Sequence, residues 1–188
     1  MVDDKSRRIV MLGAPGSGKG TQAARVAEAV GIPAISTGEM LRAAVAAGSE
    51  LGKRVEAVMA AGELVSDDLM AELVRERLAA DDAAGGYLLD GYPRTAPQAD
   101  VLDGILEDAG APLDHVIFLD VPEPELVQRA LSRQRADDTE EVIQERLRVY
   151  REKTEPLIGR YESLGLLRRL DGNRPIDTIL DDLLALVS

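Results

Sequence analysis

The sequence predicts an α/β fold in which a parallel β-sheet is covered on both faces by helices. Two observations support this prediction. Short apolar runs alternate along the chain with longer amphipathic stretches, and strands separated by helices pair in parallel. The first apolar run also ends in a glycine-rich turn that leads directly into a helix, which is the order of a βα unit.

Five strands are predicted from runs that are flanked by glycine, proline or aspartate. Short runs of this kind fit strands that are buried within a sheet. The predicted strands cover residues 8–12, 34–36, 86–90, 115–120 and 166–170.

Helices are predicted between these strands, where apolar residues recur at helical spacing. Glycine or proline ends most of them, as Gly31 and Pro33 end the first. The longest is predicted as a single polar helix that begins at a capping box, in which Asp138 replaces Ser or Thr. The helices cover residues 19–29, 40–47, 51–60, 67–80, 98–109, a stretch beginning near 125, 139–164 and 176–187.

The length of 188 residues predicts one domain, because it allows one well-filled core with small inserts but not two full-sized domains. We therefore expect a single domain over residues 1–188. Two segments are expected to move: the helical stretch at residues 36–66 and the arginine-rich stretch at residues 129–138.

Composition excludes several classes of protein. The net charge of −12 disfavours binding to nucleic acid, which requires a basic surface. No apolar run approaches the roughly 18 residues that span a membrane, and residues 1–8 lack the apolar stretch of a signal peptide. Cysteine is absent, which excludes disulfides and thiolate metal sites. We therefore expect a cytoplasmic protein that binds neither nucleic acid nor membranes.

The strongest functional motif is the glycine-rich turn, GAPGSGKGTQ, between the first strand and the first helix. Its glycines allow backbone N–H groups to turn towards an anion, and the helix N-terminus adds unsatisfied N–H groups and a positive dipole end. Lys19 can reach the outer phosphates of a nucleotide as a point charge. The residues predicted to bind ATP here are Gly13, Ala14, Pro15, Gly16, Ser17, Gly18, Lys19, Gly20 and Thr21.

One departure from the general phosphate-loop pattern limits the kinds of protein that this sequence fits. The general pattern places a hydroxyl directly after the lysine, whereas this chain has Gly20 there and Thr21 one residue later. This spacing disfavours GTPases and motor-type ATPases, and the whole run resembles the adenylate kinase family. The resemblance extends in the expected order from about residue 9 to residue 179. It implies a P-loop kinase fold with a five-stranded parallel sheet, a helical monophosphate-binding insert at residues 36–66 and a short lid at residues 129–138.

Three further segments resemble the acceptor side of that family: residues 36–42, 61–67 and 88–98. Two positions depart from the family pattern, since Glu63 stands where a basic residue is frequent and Tyr92 replaces phenylalanine. The residues that the resemblance assigns to AMP are Thr37, Gly38, Arg42, Glu63, Leu64, Val65, Gly91, Arg94, Gln98, Arg135 and Arg146.

The resemblance also assigns residues to the lid, the metal and the ATP base. Arg129, Arg133 and Arg174 are expected near ATP, while Asp137 and Asp138 are expected to pair with Arg135 and Arg146. Asp90 ends an apolar strand, the usual place for a carboxylate that orients Mg²⁺ through water, with Thr21 as a second candidate. Mg²⁺ is thus the expected cofactor.

The sequence of the predicted lid, residues 129–138, excludes a zinc-bearing lid. Only Gln134 separates Arg133 from Arg135, where some short-lid relatives carry glycine and long-lid relatives carry tens of residues, and no Cys or His cluster is present. The single histidine, His115, begins an apolar strand and is interpreted as structural.

The resemblance implies reversible phosphoryl transfer from ATP to AMP, giving two ADP, by a monomeric enzyme. In this mechanism the nucleotides are placed in line within a cationic cluster after the lid closes. The residues expected to act in catalysis are Lys19, Arg94, Arg133, Arg135 and Arg146.

Three alternatives to this function are weighed against the sequence. A UMP/CMP kinase shares the phosphate loop, although Thr37 favours AMP, because pyrimidine-preferring relatives tend to carry a small residue there. A shikimate-type kinase would lack the acceptor segments. A catalytically silent nucleotide-binding module would not need Arg135 and Arg146, which a solvated helix face with ion pairs could otherwise explain.

Overall fold

The computed structural model describes residues 7–188, so residues 1–6 of the predicted domain lie outside the described residues. The described part contains one parallel sheet with the strand order β2-β3-β1-β4-β5. Each predicted strand is confirmed to within one residue at either end, and so is the predicted fold class. The strands are β1 (Arg7–Gly13), β2 (Ala34–Ser36), β3 (Gly86–Asp90), β4 (His115–Asp120) and β5 (Leu167–Asp171).

Nine α-helices lie within the described residues, together with a 3₁₀ turn at Asp81–Ala83. No helix in this part of the chain is both long and apolar enough to span a bilayer. The helices are α1 (Lys19–Val30), α2 (Thr37–Ala46), α3 (Glu50–Ala60), α4 (Asp67–Leu78), α5 (Ala96–Asp108), α6 (Glu123–Ser132), α7 (Glu140–Val149), α8 (Pro156–Ser163) and α9 (Ile176–Val187).

The prediction of a single helix over residues 139–164 is wrong. Helix α7 ends at Val149, a π-helical turn follows at Tyr150–Thr154, and α8 begins at Pro156. Proline has no backbone N–H to donate to the preceding turn, and its ring clashes with the carbonyl four residues earlier. The chain therefore leaves α-helical geometry just before Pro156, and Glu155 N–H instead bonds to Tyr150 O at 2.9 Å.

Residues along the central strands alternate between two apolar cores, one on each face of the sheet. Val10 and Leu12 pack into the core beneath α2 to α5 and α8, whereas Ile9 and Met11 pack against α1 and α9. All four side chains are buried, as expected for strands that are covered on both faces.

The carboxyl ends of the strands meet at one edge of the sheet, because all five strands run in parallel. Strand β1 pairs with β3 on one side and with β4 on the other, so the crossovers diverge at the end of β1. Ligands of open α/β sheets bind outside the carboxyl ends at such a switch point. The glycine-rich turn after Gly13 and the carboxylate of Asp90 lie at this edge.

Candidate active site

A cleft opens at the carboxyl edge of the sheet. It is bounded by α2, by α7 and by the turn that follows α3. It brings together the residues predicted for catalysis and every residue predicted to bind AMP, although these come from separate parts of the chain. The predicted residues that line the cleft are Gly13, Pro15, Lys19, Thr37, Gly38, Arg42, Glu63, Leu64, Val65, Gly91, Arg94, Gln98, Arg133, Arg135 and Arg146.

The phosphate loop (residues 13–21) has a backbone conformation that requires glycine, as its sequence predicted. Gly16 has a φ of 87°, and a Cβ there would lie 2.5 Å from Leu126 O, so a side chain fits neither the backbone conformation nor the space. Helix α1 begins after Gly18 with no side-chain cap and no acidic residue in its first turn. Its first N–H groups are therefore available to an anion, unlike those of helices capped by a serine or threonine, such as α2 at Ser36.

Lys19 extends from the phosphate loop to within 3.8 Å of Asp90, measured from Nζ to Oδ1, and its side chain is 20% exposed. Burial lowers the pKa of Lys19. Asp90 opposes this shift, while nearby arginines, among them Arg94 and Arg133, add to it. The ammonium group is thus held in a cationic environment that an anionic ligand would stabilise.

Asp138 organises two of the cleft arginines. Its side chain is fully shielded from solvent and accepts hydrogen bonds from Arg133 Nε at 2.8 Å, Arg133 Nη2 at 2.9 Å and Arg146 Nη1 at 3.1 Å. Asp137 pairs with the Nη2 of Arg146. The prediction that the aspartates pair with Arg146 is confirmed, but their second partner is Arg133. Arg135 contributes only its backbone N–H, at 3.0 Å from Asp138 Oδ2.

The guanidinium groups of Arg42 and Arg135 make no hydrogen bond or ion pair with residues 7–188. Burial is the main cause of a lowered pKa in both, and neighbouring arginines contribute to that shift. Gly38 leaves room for the first of these groups, since a Cβ there would lie 2.9 Å from Arg42 Nη1. The cleft therefore holds two cations that form no ion pair within the described part of the chain, which is typical of a site for phosphate.

Arg94 is anchored at three atoms by three different residues. Its N–H donates to Gln98 Oε1 at 2.7 Å, its Nε donates to Gly91 O at 2.7 Å, and its carbonyl accepts from Thr154 Oγ1 at 2.7 Å. Thr37 Oγ1 donates to the same Gly91 carbonyl at 3.1 Å. Burial lowers the pKa of Arg94, and Asp90 opposes the shift. The remaining guanidinium nitrogens are thus presented to the cleft on a fixed backbone.

The comparisons with known proteins agree with this geometry. A family model described as "Adenylate kinase" matches residues 11–166. The chain is 50% identical over 184 residues to an adenylate kinase of Stenotrophomonas maltophilia, covering 96% of this chain and 98% of that protein. It is 51% identical over 180 residues to an adenylate kinase of a Synechococcus species, with coverages of 96% and 98%. This chain belongs to the adenylate kinase family. A Synechocystis protein named "Adenylate kinase 1" is 50% identical over 182 residues, covering 97% of each chain.

The segment at residues 61–67 of this adenylate kinase family member packs directly against α7. A Cβ at Gly62 would lie 3.1 Å from Val142 O, so the backbone passes close to the helix. The neighbouring Glu63 carboxylate lies 3.8 Å from Arg148 Nη2. Arg148 also pairs with Glu145 and Glu152 on its own stretch of helix, as expected for a solvated helix face. Glu63, which departs from the family pattern, thus has a basic partner in Arg148 of α7.

The other residues predicted to bind ATP lie outside the lining of this cleft. Arg129 connects two loops, since it donates to Ser17 O at 3.3 Å and to Gly172 O at 3.2 Å. Arg174 donates to Asp171 O at 3.0 Å and forms an ion pair with Asp182 of α9 at 2.8 Å, so its guanidinium is already engaged. The predicted residues of this group are Ala14, Gly16, Ser17, Gly18, Gly20, Thr21, Arg129 and Arg174.

The residues near the phosphate loop fit Mg²⁺. Asp90 Oδ1 is buried and has no hydrogen-bond partner among the described residues, and a Cβ at Gly20 would lie 3.4 Å from Asp90 Oδ2, so the loop approaches the carboxylate closely. Mg²⁺ is typically held by one or two carboxylates together with water and substrate phosphates. Within residues 7–188 there is no group of three or more His, Cys, Asp or Glu side chains arranged to bind a metal.

Sequence reasoning missed two kinds of cleft residue. Apolar side chains such as Leu41, Met59 and Met70 line one end of the cleft, and helical periodicity could have shown that they face inward. Tyr150 and Thr154 line it from the π-helical turn, which has no signal in the sequence beyond the proline that follows. The second group attaches the chain after the lid to the Arg94 turn.

Proposed function

We propose that this chain transfers a phosphoryl group reversibly from ATP to AMP, giving two ADP, with Mg²⁺ as cofactor. The observation that carries the proposal is the cleft in which Lys19, Arg94 and Arg146 converge with Arg42 and Arg135, two cations that have no ion-pair partner among residues 7–188. A site of this charge, built on a phosphate loop, suits two nucleotides that meet phosphate to phosphate.

The donor side of the proposal rests on the phosphate loop. Its backbone N–H groups and the uncapped start of α1 would bind the ATP phosphates, and Lys19 would reach the outermost of them. Asp90, with Thr21, would hold Mg²⁺ through water, and the metal would neutralise charge on the donor phosphates. Arg129, which donates to Ser17 O and Gly172 O, would support the loop expected to face the ATP base.

The acceptor side rests on the contacts of the Arg94 turn and the acceptor insert (residues 36–66). Arg42 and Arg94 would bind the AMP phosphate, because neither hydrogen-bonds through its terminal guanidinium nitrogens to the described residues, and only the Nε of Arg94 is engaged, by Gly91 O. Gln98 would read the base beside Thr37: it is 2% exposed, and its amide is fixed by Arg94 N–H and by Asp67 at 2.9 Å. The backbone from Glu63 to Val65 would close over that base.

The transfer itself needs placement and charge neutralisation more than covalent help from the protein. The acceptor phosphate oxygen is already a nucleophile, so no general base is required. Arg133, Arg135 and Arg146 would neutralise charge on the migrating group, while Asp138 holds two of them in place. Closure of the acceptor insert and of the short lid (residues 129–138) would keep water from accepting the phosphoryl group.

We propose a single domain that acts as a monomer in the cytoplasm on free nucleotides. A net charge of −12 supports the absence of nucleic acid from this list of partners.

The proposal is tested by initial rates of diphosphate formation from Mg-ATP with AMP, CMP, UMP and dTMP in separate reactions. We expect a strong preference for AMP. A preference for CMP or UMP would keep the mechanism but replace the acceptor with a pyrimidine nucleotide. Binding of ATP without transfer to any of the four would indicate a nucleotide-binding module instead of an enzyme.

A further inference from the structure

We propose that Thr154 is a positioning residue for Arg94 in phosphoryl transfer, and that the π-helical turn at Tyr150–Thr154 exists to present it. The inference rests on the proposed function, because it concerns the arginine that would bind the acceptor phosphate.

Thr154 makes an unusual hydrogen bond for a threonine in a helical segment. A threonine hydroxyl in a helix commonly bonds back to a carbonyl three or four residues earlier. Here Thr154 Oγ1 donates instead to Arg94 O at 2.7 Å, across 60 positions of the chain. Thr154 is 8% exposed and also lines the cleft. The hydroxyl therefore ties the segment after the lid to the turn that carries Arg94.

This bond completes the anchoring of the Arg94 backbone. Gln98 fixes the N–H of that residue and Gly91 fixes its Nε, so Thr154 supplies the contact to the one remaining polar backbone group. Without the hydroxyl, the carbonyl would lose its hydrogen bond in a largely buried site, and the turn would gain freedom to shift. A small displacement of a charged group in an active site can reduce the rate markedly, because placement supplies much of the catalysis.

The π-helical turn supports a functional reason for this arrangement. Such turns are rare and occur frequently at functional sites. The bond from Glu155 N–H to Tyr150 O, at 2.9 Å, adds one residue to the helical ring and so changes the direction of the residues around it. Tyr150 and Thr154 both line the cleft from this turn. The turn thus brings the Thr154 hydroxyl to the Arg94 carbonyl.

The test compares Thr154→Val, which keeps the shape and removes the hydroxyl, with Thr154→Ser, which keeps the hydroxyl. For Thr154→Val we expect kcat/KM for AMP to fall about tenfold, the size expected for one lost hydrogen bond to a buried group. The KM for ATP should stay within about twofold of the wild type, since the donor side is untouched. Thr154→Ser should retain kcat/KM for AMP to within about twofold.

Two measurements separate positioning from a general structural effect. Calorimetry should show weaker binding of AMP to Thr154→Val but unchanged binding of adenosine, because adenosine has no phosphate for Arg94 to hold. Ser163→Ala is the matched control: it removes a hydroxyl that bonds within α8 to Gly159 O at 2.9 Å, on an exposed face, and should leave all constants unchanged. Thermal unfolding of each variant establishes that it is folded, and Thr154→Ala replaces the valine variant if valine prevents folding.

A double-mutant comparison gives the most specific result. In an Arg94→Lys background, Thr154→Val should lower kcat/KM by less than about twofold, since the group that it positions has been replaced. The inference is overturned if Thr154→Ser loses as much activity as Thr154→Val, if adenosine binding weakens as much as AMP binding, or if the two substitutions are additive. If the wild type itself transfers nothing to AMP while ATP binds, the proposed function fails and the inference fails with it.

Discussion

The carboxylate of Asp138 accepts hydrogen bonds from both the Nε and the Nη2 of Arg133, at 2.8 Å and 2.9 Å. The Asp138 side chain has no exposure to solvent. A bidentate pair of this kind fixes the plane of a guanidinium as well as its position. The same carboxylate also accepts from Arg146, so one buried anion holds two cations at the edge of the cleft. Such an arrangement suits arginines that must be in place before a nucleotide arrives.

Asp138→Asn should therefore impair both stability and transfer. The change keeps the shape but removes the charge and forces an amide N–H₂ against two guanidinium groups. We expect a loss of about 1–3 kcal/mol in the free energy of unfolding and a fall in kcat of at least about tenfold. Urea unfolding and initial rates measure the two effects. Retention of wild-type kcat would mean that the two arginines do not depend on this anion.

The pH dependence of stability supplies an internal control for that variant. Burial alone would raise the pKa of Asp138, but the hydrogen bonds from Arg133 and from the N–H of Arg135 outweigh it and lower the pKa below its usual value. A lowered pKa stabilises the fold above the unfolded pKa of about 3.9, and this contribution is lost as pH falls through the lower folded value. The difference between wild type and Asp138→Asn should thus be full at pH 7 and should shrink below about pH 4. A difference that stays constant to pH 2 would exclude the carboxylate as its source.

Lys19→Met should remove most activity and leave the fold intact. Burial lowers the pKa of the Lys19 ammonium, nearby arginines add to the shift, and Asp90 at 3.8 Å opposes it, so removal of the ammonium relieves desolvation and repulsion and breaks only one long ion pair. We expect kcat to fall at least about 100-fold, as for loss of a group that stabilises transition-state charge, with an unfolding temperature at or above that of the wild type. Near-normal turnover in this variant would show that the phosphate loop has been wrongly assigned.

Substitutions at Gln134 test the backbone conformation of the short lid. Gln134 has a φ of 54°, in the left-handed region that costs most side chains roughly 1–2 kcal/mol. Gln134→Gly removes this strain but adds freedom to the unfolded chain, so the unfolding temperature should be unchanged or slightly higher. Gln134→Val, which is β-branched, should destabilise by about 1 kcal/mol or more. Equal stability of the two variants, measured by calorimetry, would contradict the left-handed conformation.

The pair between Glu63 and Arg148 is expected to help hold the acceptor insert against α7. Glu63→Lys would place a cation next to Arg148, where the structure has a carboxylate at 3.8 Å. The pair is partly exposed, so we expect only a modest rise in the KM for AMP, about two- to fivefold at low salt and less at high salt. Glu63→Gln, which removes the carboxylate charge without adding a cation, should raise the KM for AMP by less than Glu63→Lys does. Equal KM values for the two variants would mean that Arg148 does not repel the introduced cation.

Much of the fold and of the site could be predicted from sequence because the signals are local. The phosphate loop follows a buried strand and Asp90 ends another, and parallel strands bring their carboxyl ends together regardless of the details of packing. The choice of Arg133 as the partner of Asp138 depends on the geometry of the lid and left no such signal. The hydrogen bond from Thr154 to Arg94 depends on a helical irregularity ahead of Pro156 and joins segments 60 residues apart.

The most direct measurement of the proposed reaction starts from one nucleotide. Purified protein is incubated with ADP and Mg²⁺ alone, and the products are separated and quantified over time. We expect ATP and AMP to appear in equal amounts until equilibrium, because one ADP acts as donor and the other as acceptor in the same cleft. Unchanged ADP, or formation of AMP with free phosphate and no ATP, would contradict the assignment of this cleft to phosphoryl transfer between two adenine nucleotides.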